Sequence, residues 1–214
     1  MRTALVLTLA LLVQAPAAVR NTWEQAYAKG TAESFAATFE EPSRALFRYR
    51  QAIAGLMQLK PGMTVGEVGA GSGYLSRFIA EKVGPTGRVF ANELEPKMVE
   101  YMNARAAKEG VKNFSAIKGT PVSTGFDAAA LDAVAMVYSF SFFDHPAEML
   151  KSVSDSLKPN GLMLIVDSPR EGLAATAPGM DADEVLALAA AGGFNRVGEN
   201  GVVPGHYALI FRKK

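Results

Sequence analysis

The chain has no cysteine among its 214 residues. That excludes disulfides, thiolate metal sites and an anchor attached through an N-terminal cysteine. It also lacks a charge imbalance, with 22 lysines and arginines against 21 acids. Nucleic-acid binders carry a basic excess or stripe, so no nucleic-acid partner is expected. The apolar run Ala4 to Val13 has ten residues, too few to cross a bilayer. A Gly-Lys-Ser/Thr triplet, needed for a Walker phosphate loop, is missing. Histidine is scarce, with only His145 and His206. Clustered carboxylates of the kind a catalytic metal needs are not apparent around Asp167, and no metal is expected.

What is present starts at the N-terminus. Met1-Arg2, the run Ala4 to Val13 and Ala15-Pro16-Ala17 have the basic start, apolar stretch and small-residue cleavage site of a secretory signal peptide. The expected organisation is a signal peptide over 1–17, an N-terminal arm over 18–41 that is either a helical lid or irregular, and one domain over 42–214. Export to the periplasm is expected from that reading, as is the lack of stable membrane insertion after cleavage. Oligomeric state is not legible.

The most informative stretch is Val65-Gly66-Glu67-Val68-Gly69-Ala70-Gly71-Ser72-Gly73-Tyr74. It reads as a strand ending in an acid, then glycines at alternate positions. The apolar helical positions Leu75, Phe78, Ile79 and Val83 follow. A glycine turn lets backbone approach a ligand, and the helix start behind it offers free N–H groups. A dinucleotide loop, G-x-G-x-x-G, would need its third glycine where Tyr74 stands. A second landmark is Arg88-Val89-Phe90-Ala91-Asn92-Glu93-Leu94-Glu95-Pro96, a strand ending in a carboxylate that can accept hydrogen bonds from a ribose diol.

Alternating strand and helix signals argue an α/β fold. A helix is expected from Pro42, with Leu46, Tyr49, Ile53 and Leu56 on one face. His145 follows Asp144 at the start of another helix, with Asp144 as its expected cap. Lys158-Pro159-Asn160-Gly161 reads as a turn before a fifth strand, Leu162 to Asp167. Asp181 with Glu184 reads as a capping pair. Two final segments, 195–203 and 206–211, have no helix between them and should pair antiparallel. The expected fold is Rossmann-like: seven strands, mostly parallel, helices on both faces, and a C-terminal antiparallel hairpin.

These segments stand in the order found in class I S-adenosylmethionine (SAM) methyltransferases, which the chain resembles over about residues 42–212. Gly119-Thr120-Pro121, Asp144-His145-Pro146 and Gly205-His206-Tyr207 are similar to a group of exported bacterial members. The resemblance implies SAM as cofactor. It places Glu67 near the methionine end, Gly69, Ala70, Gly71, Gly73 and Tyr74 around the cofactor, Glu93 on the ribose and Leu94 on the adenine. Thr120 stands where many members carry an aspartate for the adenine amine. Tyr138 would approach the methyl group, and His145 is the candidate base, although a helix-start role fits it as well. Phe140-Ser141-Phe142-Phe143 replaces a more polar stretch, which suits a small, partly apolar acceptor. Arsenite-type methylation needs cysteines. Two other readings stay open: an isoaspartyl-type protein methyltransferase, for which residues 42–60 offer no convincing Ser/Thr-rich segment, and a SAM-fold binding protein without catalysis.

Overall fold

Seven strands form one sheet in the order β3-β2-β1-β4-β5-β7-β6. They are β1 (Thr64–Val68), β2 (Arg88–Glu93), β3 (Phe114–Lys118), β4 (Leu131–Val137), β5 (Leu157–Asp167), β6 (Phe194–Asn200) and β7 (Tyr207–Lys213). The first five are parallel to their neighbours, and β7 runs antiparallel to both β5 and β6. The expected hairpin is there, starting and ending within a few residues of its expected bounds. The computed structural model describes residues 25–170 and 179–214; the expected signal peptide and the start of the arm lie outside them.

The order follows from burial. β4 presents Ala133, Ala135 and Val137 to one side and Val134 and Met136 to the other, all buried. A strand apolar on both faces needs a layer on each. One layer comprises α2 (Ala45–Arg48), α3 (Arg50–Gly55), α4 (Tyr74–Val83) and α5 (Pro96–Glu109), with Ile53, Leu75, Ile79 and Met102 facing the sheet. The other comprises α6 (Pro146–Ser156) and α7 (Ala182–Ala191), with Leu150, Val153, Val185 and Ala189 inward. The capping pair is formed, since Glu184 Oε2 accepts the Asp181 N–H at 3.1 Å.

Two local expectations need correction. The helix expected from Pro42 is two short helices meeting at Tyr49, whose φ and ψ of −93° and 10° leave the helical region. The Lys158–Gly161 turn is drawn into β5, because Leu157 already pairs with Leu131 and Asn160 takes up the irregularity at φ 60°. Asparagine is among the few residues that adopt that conformation readily. The arm is helical at 25–29 and over α1 (Ala32–Phe39). To keep chain order, α1 precedes α2.

The strand direction decides where chemistry can sit. The chain runs outward from β1 to β2 and β3 on one side and to β4 and β5 on the other. In such sheets the crevice lies beyond the carboxyl ends of the strands where the order reverses, here between β1 and β4. The central strands carry the stability. Leu164→Ala, at a fully buried position of β5, should lower urea-unfolding stability by about 2–5 kcal/mol. Val197→Ala, on an exposed site of β6, should stay within about 0.5 kcal/mol of wild type.

Candidate active site

A cavity of about 450 Å³ opens at that crevice, within the usual range for small-molecule sites. Glu67 reaches it from β1, Gly69 to Gly71 and Tyr74 from the loop and the start of α4, Glu93 from the end of β2, and Tyr138 from the end of β4. Leu94, Glu95, Gly119, Thr120 and Pro121 line one side, and Val137, Phe142, Phe143, Asp144 and Met149 another. Leu94 is half exposed.

The loop is built by glycines for two reasons. Gly69, Gly71 and Gly73 all have φ between 57° and 73°, which glycine adopts without strain. A Cβ on Gly69 would also stand 2.5 Å from Ser139 Cβ. Gly73, expected at the cofactor, does not line the cavity. It is the N-cap of α4, and a Cβ there would meet Met102 Sδ at 2.8 Å, so its smallness serves helix packing.

The loop amides are not held out for an anion, contrary to expectation. Gly69 and Ala70 both donate to Asn92 O at 3.0 Å, and Gly73 donates to Ala70 O at 2.9 Å. The Gly71 N–H goes to Glu93 Oε2 at 2.8 Å. Glu93 Oε1 accepts the Leu94 and Glu95 amides at 2.7 and 3.2 Å. What faces the cavity is rich in carboxyl groups. Glu67, Glu93, Glu95 and Asp144 line it against one guanidinium, Arg44, among the described residues. Such a site repels phosphates and suits a cation.

Burial shapes these acids. Glu67 is sealed, its carboxyl bonded by the Ser76 hydroxyl, and desolvation pushes it up to about 8. Glu93 is also raised by burial, against the three backbone N–H groups that favour its charge. Asp167, at the end of β5, is raised by burial to about 6 although Ser141 N, Ser141 Oγ and Ser168 N all donate to it. This carboxyl pins the 3-10 turn Phe140–Phe142 that carries the aromatic wall.

The expected acceptor residues divide. Tyr138 lines the cavity with a left-handed φ of 56°, and its N–H donates to Val166 O at 2.7 Å. Positive φ at a tyrosine is uncommon and marks a functional position in many sites. Its ring meets Phe142 at 5.8 Å and His206 at 5.7 Å between centroids. Phe142 lines the cavity, whereas Phe140 is fully buried. His145 is a correction. It sits at the N-cap position of α6, lies 3.8 Å from Glu148 and does not line the cavity. Its neighbour Asp144, expected as the cap, lines the cavity instead.

The arm, together with Arg44 just beyond it, supplies residues the sequence reading did not single out for the site. Tyr27, Thr38, Phe39 and Arg44 all line the cavity. Arg44 stands 5.7 Å from the Phe39 ring and 5.9 Å from the rings of Tyr74 and Tyr138. Nothing local in Pro42-Ser43-Arg44 marks it, since its position depends on α1 folding back over the loop.

Residues 65–161 match the family model described as a methyltransferase domain. Beyond it, the chain is 36% identical over 115 residues to a protein-L-isoaspartate O-methyltransferase of Pyrococcus horikoshii, covering 51% of this chain and 46% of that protein. It is 27% identical over 118 residues to a ubiquinone/menaquinone biosynthesis C-methyltransferase of Ectopseudomonas mendocina, covering 55% and 46%. The chain thus spans about half the length of the curated relatives it matches. A SAM-dependent methyltransferase from Aquifex aeolicus has the same fold, with a TM-score of 0.77 at 23% identity over 87% of this chain and 100% of that one. Geranyl diphosphate C-methyltransferase from Streptomyces coelicolor, solved with S-adenosyl-L-homocysteine, gives 0.65 at 16% identity over 79% and 78%. The matched stretch therefore contains the glycine loop, Glu93, Tyr138 and Asp144, while the arm and Arg44 precede it.

The raised Glu67 sets a sign for pH dependence. The folded protein keeps this proton across the range in which the unfolded chain has lost it, from about 4.5 to about 8. Stability should then fall as pH rises through that window, by at most about 1.4 kcal/mol per unit from this group. Glu67→Gln should flatten the slope between pH 6 and 8 in urea-unfolding curves. An equal slope in the variant would remove Glu67 as its source.

Proposed function

We propose that this chain is a SAM-dependent methyltransferase that acts on a small, partly apolar acceptor. The observation that carries this reading is Glu93, a buried carboxylate at the end of β2 that lines the cavity and is fixed by three backbone amides. A carboxylate so held has a ribose diol as its natural partner. The cavity's other groups fit the rest of the cofactor. Gly69 and Gly71 keep the floor low, Leu94 offers an apolar face for a base, and Glu67 is placed for an ammonium. Arg44, which lines the cavity 5.9 Å from the rings of Tyr74 and Tyr138, is the cation suited to the carboxylate of the same amino-acid end.

SAM supplies a methyl group on a cationic sulfonium. The protein's task is alignment in a dry site. Tyr138, Phe142 and Phe143 form the wall against which an apolar acceptor lies, and Asp144 is the ionisable side chain there that can take a proton. A protein acceptor is the second reading, favoured by the isoaspartyl methyltransferase relatives. Export to the periplasm belongs to the proposal through residues 1–17; N-terminal sequencing of secreted material should then start at Ala18.

Calorimetry tests the cofactor. SAM should bind saturably, and Glu93→Ala should weaken it by about 1.5–3 kcal/mol. No binding at millimolar SAM would sink the reading and leave a binding protein of other specificity. Arg44→Gln should weaken SAM yet leave 5′-methylthioadenosine, which lacks the amino-acid end, unchanged. Equal losses for both ligands would remove Arg44 from the carboxylate. Transfer of labelled methyl into lipid-extractable small molecules rather than into isoaspartyl peptides separates the two acceptor classes.

A further inference from the structure

We propose that Glu40 is a positioning residue that latches the N-terminal arm over the cavity through Arg77 and Arg105, so that arm docking and cofactor retention depend on each other. The inference rests on the SAM reading of the cavity and adds a control that lies outside the matched stretch.

The arm roofs the site but has little apolar grip. Tyr27, Thr38, Phe39 and Arg44 line the cavity, and Phe39 lies on the glycine loop, 3.1 Å from where a Cβ on Gly71 would be. Yet only Ala32 and Ala36 of α1 are buried. Two alanines contribute a small share of the burial that larger side chains give. Phe39, partly buried against the core, adds to this grip, and ion pairs supplement it.

Glu40 is the C-cap of α1, where the helix dipole disfavours an acid. It is compensated by two guanidiniums. Arg105 of α5 grips it with both terminal nitrogens, Nη1 to Oε1 at 2.7 Å and Nη2 to Oε2 at 3.1 Å. Arg77 of α4 adds Nη2 to Oε2 at 3.1 Å. Both arginines also bind Glu109, Arg77 at 2.9 Å and Arg105 at 2.8 Å, which closes a ring of alternating charge. Glu40, Arg77 and Arg105 side chains are 16%, 17% and 25% exposed, so solvent screens them less than surface pairs. A bidentate fork of this kind also fixes orientation. Lys97 of α5 adds a second tether, donating to the backbone carbonyls of Tyr27 and Gly30.

Glu40 precedes Arg44 by one turn of chain and follows Phe39 directly. Arg44 Nη1 donates to Phe39 O at 3.1 Å. Releasing Glu40 would free Phe39 from the loop and Arg44 from the cavity together. Arg77 Nε is buried without a hydrogen-bond partner, so Arg105 is the stronger half of the latch.

The test uses the whole protein and two readouts. Stopped-flow measures the SAM dissociation rate, and limited trypsin digestion measures cleavage after Lys29 and Arg44. Glu40→Gln and Arg105→Gln should each speed SAM dissociation about ten-fold and expose the arm to trypsin. The double variant should be no faster than the faster single one, because both remove one interaction. In wild type, bound SAM should protect the arm, and raising salt from about 0.1 M to about 1 M should speed dissociation. Should Glu40→Gln fail to fold, Arg105→Lys, which keeps the charge but loses the fork, should give a smaller acceleration. Variants that melt earlier but release SAM within about two-fold of the wild-type rate would overturn the latch while leaving the SAM reading intact. A wild type that binds no SAM would overturn both.

Discussion

The Glu93 carboxylate holds the site together. One oxygen takes the Gly71 N–H and the other takes the Leu94 and Glu95 amides, so a single side chain ties the glycine loop to the end of β2. Asn92 completes the tie by accepting Gly69 and Ala70. The loop therefore has its shape before any ligand arrives. Because Glu93 is buried, this shape is obtained at the cost of desolvating an acid, a cost the backbone donors only partly offset.

The consequence is electrostatic. A glycine loop leading into a helix start ordinarily suggests an anion site. Here the loop amides are spent on internal bonds, and the cavity presents acids. Glu93 acts unfavourably on the Glu67 charge, and Glu95 does the same to Glu93. A dinucleotide or nucleoside triphosphate would meet that field with its phosphates. A nucleoside carrying positive charge meets it with its own. The one guanidinium lining the cavity among the described residues, Arg44, is caged by three rings.

Much of this was legible in the sequence. The glycine spacing, Tyr74 in place of a third dinucleotide glycine, and Glu93 at a strand end were local signals. The order of strands and the closing hairpin followed from buried runs and turn residues. The failures share a cause. Gly73 belongs to a helix contact with Met102, which only tertiary packing reveals. Asp144 lines the cavity while His145 sits at the N-cap position of α6 without a side-chain cap, which the sequence order of the two does not distinguish. Arg44, Phe39 and Tyr27 reach the site only because α1 folds back onto α4 and α5 through Glu40, an interaction 65 residues apart in the chain for Arg105. No spacing rule connects such distant charges.

The central claim is that buried acids receive a cationic cofactor. Glu67, whose carboxyl burial pushes up to about 8, should ionise when a sulfonium and an ammonium arrive beside it. The direct measurement is SAM titration by calorimetry at pH 7 in buffers of different ionisation enthalpy. The account predicts a net release of protons on binding, much reduced in Glu67→Gln. Saturable binding with no proton release, or with uptake, would contradict it.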